Sequence, residues 1–174
     1  FPEVIQKALR MIDIGVQGLD PEAFEFHDLE HELKNPSPRR MLALAKAFQQ
    51  GMSVAKVHAL TRIDEWFLHQ IAEVVGYRKT ISAGALDRDV MLGAKRRGFS
   101  DRAIADLRDE TEESVRKTRL ALGVRPHLCQ IDTLAAEYPA ETNYLYFTYH
   151  AEADDVAASW RKKVLVLGSG AYRI

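Results

Sequence analysis

His27-Asp28-Leu29-Glu30-His31 is the string in this sequence with the most explicit chemistry: two imidazoles one helical turn apart could hold a divalent metal while the carboxylate between them activates a water. Such a site needs a third ligand and an enclosing cleft. No acid-rich helix downstream supplies them, so the pair reads as two histidines of a surface helix. Cys129 has His127 on the same face of an extended segment, a spacing that could activate a thiolate. Access and an orienting group are needed as well, and a structural cysteine is the simpler reading. Gly168-Ser169-Gly170 follows an apolar run as a dinucleotide fingerprint would, yet Arg173 stands where the third glycine belongs. No Ser-His-Asp arrangement or pair of catalytic carboxylates occurs. The expectation is a segment without catalytic, cofactor-binding or metal-binding residues of its own.

The elements that must position these residues are mostly helical. The chain has 174 residues, 47% hydrophobic and 28% charged, enough to bury a real core. Lys+Arg 24 against Asp+Glu 25 leaves a net charge of -1, far from the basic balance of a dedicated nucleic-acid or anionic-membrane binder. The single cysteine closes no intrachain disulfide, no signal-type segment opens the chain, and no run approaches the ~18 apolar residues of a membrane span. These features point to a cytoplasmic setting, with a mitochondrial one left open, and to no membrane partner.

Phe1-Pro2 leads into an amphipathic helix with Val4, Ile5, Ala8, Leu9, Met11 and Ile12 at helical spacing up to Gly15, and its N-terminal face calls for something upstream. Asp28 to Leu33 predicts a short helix. Ser37, with Pro38 in the first turn, starts a helix that turns Met41, Leu42, Leu44, Ala45 and Phe48 inward and stops at Gly51. Ser53 caps a short helix, and Asp64 caps a longer one that Gly76 closes. The same phrase recurs 47 positions on, pairing Gly51 with Gly98, Ser53 with Ser100, Val57 with Ile104, Leu60 with Leu107, Asp64 with Thr111, Leu68 with Val115 and Gly76 with Gly123. This is an internal duplication of a helical-hairpin module. Beyond Gly123, Ile131-Asp132-Thr133 and Tyr144 to Tyr149 predict extended segments or short strands. Ala151 to Trp160 reads as a linker, and Lys163 to Gly168 as the first strand of a following α/β domain. The fold class is mainly α, and both ends look like cuts from a larger protein.

Short helix, turn and longer helix is also the outline of a DNA-binding helix-turn-helix, here twice. Carboxylates at Asp64-Glu65 and Glu112-Glu113 occupy the turns that would have to approach phosphates, which speaks against nucleic acid as a partner. The basic clusters Lys95-Arg96-Arg97 and Arg116-Lys117-Arg119 are interleaved with Asp101, Asp106, Asp109 and Glu110 and read as a solvated or interface face. On the helix after Asp64, the inward side is expected to be Phe67, Leu68, Ile71, Val74 and Val75. Trp66 falls on the other side, with His69, Gln70 and Glu73. A large aromatic on a polar face marks a contact outside the repeat.

Six strings in fixed order carry a family resemblance. They are Phe1-Pro2-Glu3 with Lys7-Ala8-Leu9-Arg10, Ile63-Asp64-Glu65-Trp66-Phe67-Leu68, Arg97-Gly98-Phe99-Ser100-Asp101, Gly123-Val124-Arg125-Pro126, Ile131-Asp132-Thr133-Leu134-Ala135-Ala136-Glu137 and Val164 to Ile174. Together they resemble the large subunit of carbamoyl phosphate synthetase over the whole chain, in its helical connection or oligomerization domain between two ATP-grasp synthetase units. The resemblance implies residues 1–19 as the exit from the preceding unit, 20–150 as the connection domain, 151–162 as a linker and 163–174 as the start of the second unit. It also implies a non-catalytic scaffold that spaces and couples the two units and supports a homo-oligomer. ATP and Mg²⁺ would be bound by the parent enzyme outside this segment, and a glutaminase domain or subunit could supply its ammonia. Leu134 stands where members often carry Cys, and Gly168-Ser169-Gly170-Ala171-Tyr172 is more like eukaryotic members, in either pyrimidine or arginine synthesis. Trp66, Asp132, Thr133 and Glu137 are the expected interdomain or subunit contacts.

Overall fold

The computed structural model describes residues 1–12, 14–139, 144–157 and 159–164. The chain divides into two compact units, Phe1–Pro126 and His127–Ile174. The first holds α1 (Pro2–Met11), α2 (Leu29–Lys34), α3 (Arg40–Gln49), α4 (Val54–Thr61), α5 (Glu65–Ala83), α6 (Arg88–Arg96), α7 (Asp101–Arg108) and α8 (Glu112–Ala121), and the second holds β1 (His127–Gln130) and β2 (Leu145–Thr148). The mainly α class is found.

The duplication is visible in the backbone, α3-α4-α5 repeating as α6-α7-α8. Ser53 and Ser100 cap α4 and α7, their side chains accepting from Lys56 N and Ala103 N. Arg62 and Asp109, 47 apart, both end those helices in the left-handed region, at φ 59° and 53°. Gly51 and Gly98 both stand at φ 83°, and the amides of the next residues, Met52 and Phe99, donate to Ala47 O and Ala94 O. Each is the glycine-ended cap that satisfies the last carbonyls of α3 and α6.

Two details of the first copy differ from expectation. Ser37 does not cap α3; its hydroxyl donates to Glu32 and accepts from Arg39 N, and the helix begins at Arg40. Gly76 does not close α5, which runs on to Ala83, whereas Gly123 does lie in the left-handed region past α8. Tertiary contacts hold the extra turns. The Tyr77 hydroxyl donates to Val90 O, Arg78 pairs with Asp20, Ile81 is buried, and Arg108 donates to Ile81 O. These outweigh the ~1 kcal/mol cost of a helical glycine. Gly76 is exposed, and no described atom lies within 4 Å of where its Cβ would stand. Gly76→Ala is expected to stabilise the chain by about 0.5–1 kcal/mol in urea unfolding, by the backbone entropy alone.

α3 is buried on nearly all sides through Leu42, Ala43, Leu44, Ala45 and Ala47, and it packs on α2, α4 and α5. Small alanines let those neighbours approach. α5 also reaches α6 and α7, so its 19 residues join the two copies through Leu68, Ile71, Val74 and Ile81.

The basic residues of the second copy divide: Arg116 and Lys117 are solvated, as expected, while Lys95 and Arg119 are interior. Lys95, Asp101 and Arg119 are buried at 7%, 6% and 8% exposure. Lys95 Nζ donates to Asp101 Oδ1 at 2.8 Å and to Phe99 O, while Arg119 grips both Asp101 oxygens through Nε and Nη2 and donates Nη1 to Val124 O. The end of α6, the start of α7 and the last turn of α8 are thus tied by one carboxylate. Charges that read as surface from sequence are interior because each has a partner of opposite sign or a carbonyl.

In the second unit β1 and β2 pair antiparallel, His127 opposite Thr148 and Cys129 opposite Tyr146. The expected strand at Lys163 to Gly168 and the glycine turn after it fall mostly in 165–174, outside the described residues.

Candidate interdomain interface

Two of the tempting motifs have a plain geometry. α2 begins at Leu29, so His27 lies before it and the two histidines do not share a helical face; His31 Nδ1 instead meets the Asn35 amide at 3.2 Å. Among the described residues no three His, Cys, Asp or Glu side chains converge as a metal site. Cys129 is 5% exposed, and burial together with the Asp155 carboxylate pushes its thiol up from the ordinary value, which keeps it protonated at neutral pH. No helix among the described residues is long and apolar enough to cross a membrane.

The start of α5 is where the first unit exposes its largest side chains. Asp64 accepts from Trp66 N at 2.8 Å, fixing the first turn. Trp66 is 54% exposed, in line with its expected outward position. Phe67, expected inward, is 42% exposed instead. It sits in the first turn at the edge of the apolar stripe, and the buried face starts only at Leu68. Phe1 joins the two, its ring centroid 5.8 Å from Trp66 and 5.3 Å from Phe67, with Trp66 and Phe67 5.0 Å apart. All three contacts are edge to face, the arrangement that aromatic quadrupoles favour.

The patch continues along α1. Only Gln6 and Leu9 of that helix are buried, while Val4, Ala8, Met11 and Ile12 face outward. Phe1, Val4, Ala8 and Met11 therefore form an apolar stripe at three- and four-residue spacing on the exposed side. The inward side is polar and specific: Gln6 Nε2 donates to Arg97 O, its Oε1 accepts from Leu19 N, and Arg10 donates to Gly98 O and Gln17 O. Sequence periodicity marks α1 as amphipathic, with a face that calls for something outside it. The inward placement of Gln6, buried, and Arg10, half-buried, needed backbone partners that periodicity does not reveal.

The three candidates in the second unit share one loop. Asp132 accepts from Leu134 N and Ala136 N, so its carboxylate is engaged in a local turn, and Ala135 and Ala136 take left-handed φ values of 51° and 59° inside it. Thr133 and Glu137 are exposed, and Glu137 lines a shallow cleft with Asp132, Tyr138 and Asp155. Trp66 belongs to the first unit and these three to the second.

Among known proteins, the family described as carbamoyl-phosphate synthetase large chain, oligomerisation domain, matches residues 1–123. The whole chain is 45% identical to the mitochondrial arginine-specific large chain of carbamoyl phosphate synthase from Neurospora crassa, covering 15% of that protein. It is 42% identical, over 99% of its length, to the carbamoyl phosphate synthase large chain of Neisseria meningitidis, covering 16% of it. Multifunctional protein URA2 of Saccharomyces cerevisiae is 42% identical over the whole chain, which covers 8% of that protein. The chain thus spans less than a fifth of these relatives' length, and the tandem helix-turn-helix alternative is not favoured.

Proposed function

The chain belongs to the carbamoyl-phosphate synthetase large-chain family, as its oligomerisation domain, and from this premise we propose that it spaces and couples two ATP-grasp synthetase units without doing chemistry itself. The parent would make carbamoyl phosphate from bicarbonate, ATP and ammonia, the ammonia free or drawn from glutamine by a glutaminase domain or subunit. ATP and Mg²⁺ would be held by the flanking units. In this reading residues 1–19 leave the preceding unit, 20–150 form the connection, 151–162 link it onward and 163–174 begin the next unit. The setting is cytoplasmic, with a mitochondrial one left open, and the parent self-associates.

The observation that carries the reading is the exposed aromatic cluster of Phe1, Trp66 and Phe67, continuous with the outward stripe of α1. A solvent-facing apolar surface of this kind is the mark of an interaction site. Trp66 is its anchor, and Asp132, Thr133 and Glu137 provide polar contacts at the second junction. Trp66→Ala removes two edge-to-face pairs of about 0.5–1.5 kcal/mol each, so a loss of about 1–3 kcal/mol in the isolated chain is expected. In the parent enzyme the same change should weaken interdomain docking or self-association by about 2 kcal/mol or more, with loss of coupled carbamoyl phosphate synthesis. Thermal unfolding of the chain and sedimentation with activity of the parent measure both. A loss of about 3–5 kcal/mol in the chain with unchanged assembly would make Trp66 a core residue instead.

A further inference from the structure

The duplication allows each position of the first copy to be compared with its partner 47 residues on. Lys95, Asp101 and Arg119, which fill the space between the α6–α7 turn and α8, correspond to Phe48, Val54 and Ala72. Three polar fillers have become three apolar residues, and the largest, arginine, has become alanine. The first copy accordingly has a cavity of about 290 Å³ at this place, lined by Phe48, Met52, Val54, Ala72 and Val75. Bare backbone at Gly51 and Gly76 completes the wall, with no described atom within 4 Å of either would-be Cβ. In the second copy the equivalent Gly98 turn is covered by α1, whose Glu3 and Gln6 lie within about 3 Å of the would-be Cβ. The two turns have the same backbone and different surroundings.

The volume lies at the lower end of what small-molecule pockets offer, enough for one large side chain rather than a cofactor. The lining adds two cations, Arg78 and Lys79, and contains no carboxylate. Arg78 is held by Asp20, while Lys79 is exposed at the rim. With Arg78 neutralised by Asp20 and Gln49 holding Glu22, Lys79 is the cation that the lining offers, and an apolar floor beside it is complementary to an apolar anchor with a carboxylate next to it.

We infer that this cavity receives one aromatic or branched aliphatic side chain from an acidic segment of the parent chain outside residues 1–174, with a carboxylate of that segment meeting Lys79. The inference rests on the scaffold reading above and adds a second docking point to it, on α3 and α5 rather than at Trp66. Arg119 shows how to block it: a long unbranched side chain at position 72 occupies the space from within, as arginine does in the second copy.

The test uses the parent synthetase with the photo-crosslinking residue p-benzoylphenylalanine in place of Gln49, which is exposed at the cavity edge. Mass spectrometry is expected to find it joined to a peptide of the same parent outside residues 1–174, with Asp or Glu within one helical turn of a large apolar residue. Ala72→Met should cut the yield of that cross-link about tenfold, and Ala72→Ser, which leaves the cavity open, should not change it. Ala72→Met should also melt no lower than the parent, which separates plugging from misfolding. No cross-link, capture of a second copy's residues 1–174, a captured peptide without acids, or a yield insensitive to Ala72→Met would each overturn the inference. Such a failure alongside loss of docking on Trp66→Ala would leave the scaffold reading standing. Intact docking with Trp66→Ala would count against the scaffold interface alone.

Discussion

Asp101→Ala is expected to cost the chain about 3–5 kcal/mol, among the largest effects of any single side chain here. Removing the carboxylate takes away the charge that the buried Lys95 ammonium and the buried Arg119 guanidinium share, and the carbonyls of Phe99 and Val124, which they also meet, are dipoles and not counter-charges. Burial already pushes the Lys95 ammonium below its ordinary value, an effect that Asp101 partly offsets. Urea unfolding at neutral pH measures the cost. Replacing all three residues by their first-copy equivalents, Lys95→Phe with Asp101→Val and Arg119→Ala, should recover much of it, because no buried charge is then stranded. Equal destabilisation by the single and triple variants would mean that the lost packing, rather than the stranded charge, matters.

The pH dependence of the same site has a definite sign. Burial raises the Asp101 carboxyl, but the hydrogen bonds and charges of Arg119 and Lys95 outweigh this and hold it below the ordinary 3.8. A carboxyl depressed in the folded chain stabilises it above the unfolded value, and that contribution is lost as pH falls through the folded value. The native chain should therefore keep the Asp101 contribution down to about pH 4 and lose it below. Asp101→Ala should lack that part of the acid limb.

Gly98→Ala is the second large effect, expected at about 3 kcal/mol. Its φ of 83° is a conformation that costs an L-residue about 1–2 kcal/mol. In addition, the new methyl would stand 2.8 Å from Glu3 Cα and 3.2 Å from Glu3 O, which are backbone atoms of α1 and cannot rotate away. Gly51→Ala is the internal control. It has the same φ with no described atom within 4 Å, so about 1–2 kcal/mol is expected. The difference between the two isolates the docking of α1. If both variants lose the same amount in urea unfolding, α1 does not hold its place against the Gly98 turn with any force.

Much of the helical framework is legible in the residues because it rests on local chemistry. Ser53, Asp64, Ser100 and Thr111 cap helices since their oxygens reach amides two or three residues on, and Gly51 and Gly98 end helices since they alone take positive φ without strain. The duplication is legible because these signals recur at one offset. The strand at Tyr146 follows from aromatic enrichment, whereas β1, His-Leu-Cys-Gln, carries no such signal; of the expected extended segment next to it, Ile131 still donates to Tyr144 O, and a turn begins where Asp132 binds the amides of Leu134 and Ala136.

What depended on distant partners was not legible. Gly76 is a helix stop by local rule and a helix interior in fact, because Tyr77, Arg78 and Ile81 find contacts on α6, on the Asp20 loop and in the core. Phe67 looked like core and is surface, because it sits in the exposed first turn of α5 where it meets the edges of Phe1 and Trp66. Lys95, Asp101 and Arg119 looked like surface and are core, although Phe48, Val54 and Ala72 at the equivalent places were a signal that those positions face inward.

Sequence by itself determined the helix class, the caps at Ser53, Asp64, Ser100 and Thr111, the repeat, the family and the outward place of Trp66, each set by neighbours within a few residues or by strings in order. Only the tertiary structure decided that Phe1 completes the aromatic cluster, that α1 lies against one glycine turn and not its twin, and that one copy is filled by an ion triad where the other keeps an apolar cavity. The physical reason is that burial of a charge or exposure of an aromatic depends on a partner's position in space, which neither propensity nor periodicity encodes.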